Sequence, residues 1–165
     1  MTQTLQIALP DAEATRDLGR RLAPLLRAGD LLVLTGELGA GKTTLTQGLG
    51  QALGVRGRVA SPTFIIAREH HPGQGGVGLI HVDAYRLNSI AEVDSLDLDS
   101  TMDDAVTVVE WGQDLVENLA QDRLEIFLKR PRGTLQDAHE PPRSAVLHPV
   151  GPRWDPAELA RAVGL

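Results

Sequence analysis

Residues 34–46 read "LTGELGAGKTTLT". Within this stretch, Gly36-Glu37-Leu38-Gly39-Ala40-Gly41-Lys42-Thr43 satisfies the pattern G-x-x-x-x-G-K-[ST] in full. The glycines let successive backbone N–H groups face inward and form an anion nest at the start of a helix. An ammonium at Lys42 reaches the β- and γ-phosphates of a nucleotide, and a hydroxyl at Thr43 suits a magnesium ion. The flanks agree with this reading. "DLLVLTG" before the loop is a short apolar run suited to a buried parallel strand. "KTTLTQGLGQALG" after it has Leu45, Leu49, Ala52 and Leu53 at helical spacing, and Gly54 stops it. Gly48 and Gly50 weaken such a helix, so close packing against another backbone is expected there.

Working outward, "DAEATRDLGRRLAPLLRAGD" reads as a helix capped by Asp11, with Ala14, Leu18, Leu22, Leu25 and Leu26 on one face. Pro24 should kink or end it by removing an intrahelical donor. "VASPTFIIAREH" and "GVGLIHVDAYRL" flank "HPGQGG" as two strands of a hairpin, and "AVTVVEW" is a second apolar strand that runs into an acid. "RLEIFLKR" alternates like a half-exposed strand, with "SAVLHPV" as its partner across a polar, proline-containing loop. "DPAELARAVG" is a closing helix, with Asp155 as cap, Pro156 at the first helical position and Glu158 in a capping-box-like place. No repeat or linker divides the chain, so residues 1–165 are expected to form one domain.

Composition narrows the function classes. The mean hydropathy is −0.11 and no apolar run approaches the roughly 20 residues of a membrane span. The N-terminal "MTQTLQIALPD" lacks a signal-like core, so a cytoplasmic location is expected. There are no cysteines, which excludes disulfides and thiolate metal sites. A net charge of −6 and an aromatic content of 3% argue against direct DNA binding or a base-stacking platform. Lys42 and Lys129 are the only lysines beside many arginines, consistent with a need for a compact ammonium in the loop.

Hydrolysis requires acids delivered by other strands. Glu110, at the end of "VTVVE", is placed as a Walker B acid would be, or else faces water. Asp83 ends "LIHVD" and either approaches the metal and attacking water or has no such role. Thr63 in "SPTF" is either a γ-phosphate-sensing hydroxyl or part of a turn. His81 is as readily a satisfied core histidine as a functional one. Arg86 is either near the phosphates or paired with the acids at Glu92, Asp94, Asp97, Asp99, Asp103 and Asp104. His70–His71 and Arg20–Arg21 are expected to be solvated, and Trp111 to pack near the site or simply in the core.

The segments "GELGAGKTT", "SPTF", "HVDAYRL" and "VVEWG", in that order, resemble the TsaE (formerly YjeE) family of bacterial tRNA threonylcarbamoyladenosine biosynthesis. The resemblance implies a P-loop NTPase fold of the α/β class, with a mixed β-sheet flanked by helices. It also implies an ATP–Mg²⁺ site and association with a TsaB–TsaD complex, with tRNA met only through that complex. Carried over by position, Gly39, Ala40, Gly41, Lys42, Thr43 and Thr44 hold phosphates, and Thr43 with Glu110 holds Mg²⁺. Asp83 joins Lys42 and Glu110 in the hydrolytic site, and Thr63 belongs to a nucleotide-responsive segment. Thr15 matches a threonine close to adenine, and Arg153 is the expected adenine-side contact from the C-terminal region. Glu37 stands where the family often has Asp. The functions that remain in competition are a partner-driven ATPase, a small-molecule kinase with a lid in "KRPRGTLQDAHEPPR", and a nucleotide-gated binding module. A GTPase is disfavoured because no N-K-x-D motif occurs.

Overall fold

A computed structural model of the chain describes residues 4–36, 41–55, 67–72, 76–83, 104–110, 122–129 and 143–165. In chain order these form β1 (Leu5–Leu9), α1 (Ala12–Leu22), a 3-10 turn (Ala23–Leu25), β2 (Leu31–Gly36), α2 (Lys42–Leu53), β3 (Ala67–His70) and β4 (Gly78–Asp83). They continue with β5 (Ala105–Glu110), β6 (Arg123–Lys129), β7 (Arg143–Val150) and α3 (Pro156–Ala162). The strands build one seven-stranded sheet in the order β1-β7-β6-β2-β5-β4-β3. β6, β2, β5 and β4 run parallel, while β3 and β7 are antiparallel to their neighbours β4 and β6. The sheet is therefore mixed, and the fold is α/β.

The parallel centre is what the apolar runs demand. Leu31, Leu32, Val33 and Leu34 of β2 and the whole of β5 are buried, as expected of strands covered on both faces. On one face Leu32, Leu34, Val106, Val108, Leu124 and Ile126 join the core that receives Leu18 and Leu22 of α1 and Leu45 and Leu49 of α2. Each fully buried leucine contributes on the order of 2 kcal/mol. β6 alternates buried and half-buried positions, and its antiparallel pairing with β7 matches the sequence pattern.

Asp11 caps α1 by accepting from the Ala14 N–H at 2.7 Å. The helix stops at Leu22, well short of Asp30, because Pro24 lies in the first positions of the 3-10 turn. β1 has no announcing pattern in the sequence: "LQIAL" pairs with β7 from Leu5↔Leu147 to Leu9↔Arg143. The hairpin of β3 and β4 is present, with Ala67 opposite Val82, whereas residues 59–66 and most of the acidic stretch lie outside the described residues. Arg20 and Arg21 are not merely solvated. Arg20 binds Glu13 and reaches Gln51 on α2, and Arg21 pairs with Asp17. Hydrogen bonds from Arg20 and then Arg16 hold the exposed Glu13 carboxyl below its ordinary pKa. His70 is buried rather than solvated, while His71 is exposed.

α1 and α2 pack backbone to backbone. A Cβ on Gly48 would stand 1.9 Å from the Arg16 carbonyl oxygen, and one on Gly19 would stand 2.2 Å from that of Leu45. Neither obstacle is a side-chain tip that could swing away, so α1 would have to move as a unit. Gly48→Ala should lower stability by about 3 kcal/mol or more, read as a fall in the urea midpoint. An unchanged midpoint would mean that the helices do not meet at this glycine.

Candidate functional site

The loop's two anchors are fixed by β2 and α2. β2 ends at Gly36, and α2 begins at Lys42 behind Gly41, whose φ of +111° is a conformation open to glycine but strained for other residues. Gly39 and Ala40 lie outside the described residues, as does Thr63. The Lys42 ammonium reaches back to the end of β2, donating to the Gly36 carbonyl oxygen at 2.7 Å, and the residue is 6% exposed. The cation thus ties the start of α2 to the end of β2, the two residues that bound the loop. Thr46 secures the first turn of α2 by donating to the Lys42 carbonyl at 2.8 Å.

The second half of the site comes from the strand ends. β5 is parallel to β2 and to β4, so all three C-terminal ends lie at the same edge of the sheet. Glu110 closes β5 there, 3% exposed, and its Oε1 accepts a hydrogen bond from the Thr43 hydroxyl at 3.1 Å. Residues 67 positions apart meet because β5 lies directly beside β2. Asp83 closes β4 and is the register partner of Glu110; its side chain lies outside the described residues. His81, fully buried, brings Nε2 to 3.2 Å from the same Glu110 Oε1, within reach but not aligned as a hydrogen bond.

The donor set fits a magnesium ion held jointly with phosphates. With its hydrogen committed to Glu110, the Thr43 hydroxyl keeps its lone pairs for a cation. Among the described residues no group of three His, Asp or Glu forms a metal cage. Thr44 is half-buried on the first turn of α2.

Thr15 is fully buried on α1, and a Cβ on Gly41 would come within 3.1 Å of its methyl group. The threonine thus adjoins the last glycine of the loop. Arg153 is not brought to this group. Its guanidinium holds Asp30 through two hydrogen bonds, 3.0 and 2.8 Å, donates to the Leu25 carbonyl at 2.6 Å and lies over the Trp154 ring. Asp30 precedes β2, so this clamp sits at the opposite end of the strand from the loop. The structure thus does not bring Arg153, the expected adenine-side contact, to the loop; it ties Asp30 to the Leu25 carbonyl instead. Arg153→Ala would strand a carboxylate that is 5% exposed, at a cost of about 3 kcal/mol.

Among the described residues, Arg143 is an arginine brought to the end of the loop. Its guanidinium lies 4.0 Å from where a Gly41 Cβ would be, beside Thr15. β7 runs antiparallel to β6, and β6 runs parallel to β2, so the start of β7 shares the edge where Gly36 lies. In the sequence this residue looks like the end of the loop "EPPR"; the strand that follows it is the available signal. Arg86 and Trp111 lie outside the described residues.

Comparison with known proteins identifies the family and the fold. Residues 9–137 match the family model described as "Threonylcarbamoyl adenosine biosynthesis protein TsaE". A "tRNA threonylcarbamoyladenosine biosynthesis protein TsaE" of Streptomyces coelicolor is 53% identical over 150 residues, covering 90% of this chain and 99% of the relative. Proteins of the same description from Mycobacterium tuberculosis and Bacillus subtilis are 50% and 40% identical, covering 74% and 72% of this chain and 77% and 73% of theirs. The crystal structure of Bacillus subtilis YdiB superposes with a TM-score of 0.75 at 30% identity, covering 99% of this chain and 96% of that one.

Proposed function

This chain belongs to the TsaE family of tRNA threonylcarbamoyladenosine biosynthesis, and from that premise we propose that it is a magnesium-dependent P-loop ATPase acting with a TsaB–TsaD complex. The observation that carries the reading is the Thr43–Glu110 hydrogen bond, which joins the start of the loop helix to the acid of the neighbouring strand. A glycine-rich turn without chemistry has no need of a buried carboxylate at that point. The family membership and the buried Lys42, bonded back to Gly36, support the same conclusion.

In this reading the amides of residues 39–44 and the Lys42 ammonium grip the β- and γ-phosphates. Bound magnesium supplies charge neutralisation between those phosphates. Thr43 offers a lone pair to the cation while Glu110 keeps its hydroxyl hydrogen turned away. Asp83, beside Glu110 in register, serves to orient the attacking water for in-line displacement. Thr15 and Arg143 flank the last loop glycine on the side of α1 and β7, where the remainder of the nucleotide is accommodated. Thr63 acts in a nucleotide-responsive segment. The proposed domain is the single unit 1–165, working in the cytoplasm and meeting tRNA through its partners; among the described residues no helix is long and apolar enough to cross a membrane.

Calorimetric titration with ATP, with and without magnesium, tests the proposal. Wild-type protein should bind ATP, and magnesium should strengthen the binding; Thr43→Ala should lose most of that gain. A protein that fails to bind ATP under either condition would refute the assignment. The two arginines give an independent check. Arg143→Ala should weaken ATP binding about tenfold, the loss of one charge-assisted contact. Arg153→Ala should leave the affinity of the folded protein unchanged while lowering its melting temperature. The reverse pattern would restore Arg153 to the nucleotide.

A further inference from the structure

We infer that His81 is a positioning residue for the metal-binding carboxylate, holding Glu110 in the orientation from which it meets the cation. The inference rests on the magnesium reading of the site and names a group that reading does not use. His81 lies on β4 opposite Val108, two residues before Asp83, which is opposite Glu110. Side chains two apart on a strand share a face, so His81 is directed to the same face as Glu110 and lies one step deeper. It is fully buried, and its Nε2 is 3.2 Å from Glu110 Oε1.

The bland role for such a histidine is to satisfy its polar atoms in the core. Among the described residues neither ring nitrogen of His81 has an aligned hydrogen-bond partner. A buried imidazole left in that condition costs stability, and leucine would fill the same apolar position without the cost. What His81 does have is Nε2 3.2 Å from Oε1 of the carboxylate that already receives the Thr43 hydroxyl at 3.1 Å. With its hydrogen on Nε2, a small reorientation of the ring makes it a second donor to Oε1. Two donors on one oxygen fix the carboxylate plane and so set the direction of Oε2. Contacts of this kind are often long in the free protein and tighten in the complex. The supporting shell around metal-binding groups characteristically acts through this sort of hydrogen bond.

The test compares wild type, His81→Leu and His81→Gln by calorimetry with a non-hydrolysable ATP analogue, with and without magnesium, alongside thermal melting. In His81→Leu the affinity without magnesium should stay within about twofold of wild type and the melting temperature should be equal or higher. The gain in affinity from magnesium should fall about tenfold. His81→Gln, whose amide nitrogen reaches the place of Nε2, should recover most of it. Nitrogen NMR of the wild-type imidazole should show the Nε2–H tautomer, a readout that does not depend on the leucine variant folding. Retention of the full magnesium gain in His81→Leu, or an Nδ1–H tautomer in the wild type, would overturn the inference while leaving the ATPase reading in place. A wild-type protein that binds the analogue equally with and without magnesium would instead refute the metal reading beneath it.

Discussion

Lys42→Ala should reduce ATP affinity roughly 10- to 100-fold, the equivalent of one charge-assisted hydrogen bond to a phosphate. Hydrolysis should fall further, because charge moving onto the γ-phosphate oxygens in the transition state makes the ammonium worth more there than in the ground state. The expectation follows from position. Lys42 is buried at the N-terminus of α2 and its ammonium spans back to Gly36, so a phosphate entering the loop meets this cation between its two anchors. The only other lysine, Lys129, ends β6 and is exposed. Lys42→Arg should rescue poorly, since a planar guanidinium cannot replace a compact ammonium in that space. Calorimetry settles the point. Wild-type affinity in Lys42→Ala would mean that the loop does not hold the nucleotide.

Glu110→Gln should separate binding from chemistry. The side chain stands behind Thr43 and reaches the nucleotide only through metal or water, so it contributes little to gripping phosphate. The amide keeps the shape and an oxygen for the Thr43 hydroxyl while removing a negative charge close to a polyanion. ATP binding should therefore be retained or tighten. Hydrolysis should fall by roughly 10²-fold or more, the scale of losing one transition-state interaction. Asp83→Asn should behave alike if its side chain orients the attacking water. Phosphate release measured with the partner complex present checks both variants, and a wild-type rate in either would remove that acid from the chemistry.

The centre of this fold is legible because its signals are local. Four fixed positions in the loop, an apolar run before it and helical spacing after it each act within a few residues, and Pro24 marks the end of α1 just as directly. Glu110 can be placed because an apolar strand that runs straight into a carboxylate delivers a charge to the edge of a buried sheet. The close helix contact is visible as Gly48, a residue that helix propensity alone disfavours. What stays hidden depends on pairing between distant segments. "LQIAL" is too short to declare itself and becomes a strand only against β7. Arg143 and Arg153 bracket that same strand, and the sequence does not say which of its ends faces the loop. The antiparallel β6–β7 register decides it, with Lys129 opposite Ser144 and Arg123 opposite Val150. Arg153 therefore belongs to the end away from the loop, where it neutralises Asp30, 123 positions away in the chain. His81 is ambiguous in the sequence for a related reason: burial makes it a core residue, and only the neighbouring strand shows what it faces.

The most direct test of the account is multi-turnover tRNA modification in a reconstituted reaction containing a TsaB–TsaD complex, tRNA and either wild-type protein or Glu110→Gln. If ATP hydrolysis at this site drives the cycle, wild-type turnover of ATP rises at least several-fold on adding the partners. Glu110→Gln then joins the complex with ATP bound but fails to sustain repeated rounds of threonylcarbamoyladenosine formation. Full multi-turnover modification by the hydrolysis-dead variant would contradict the account and make the chain a nucleotide-gated binding module.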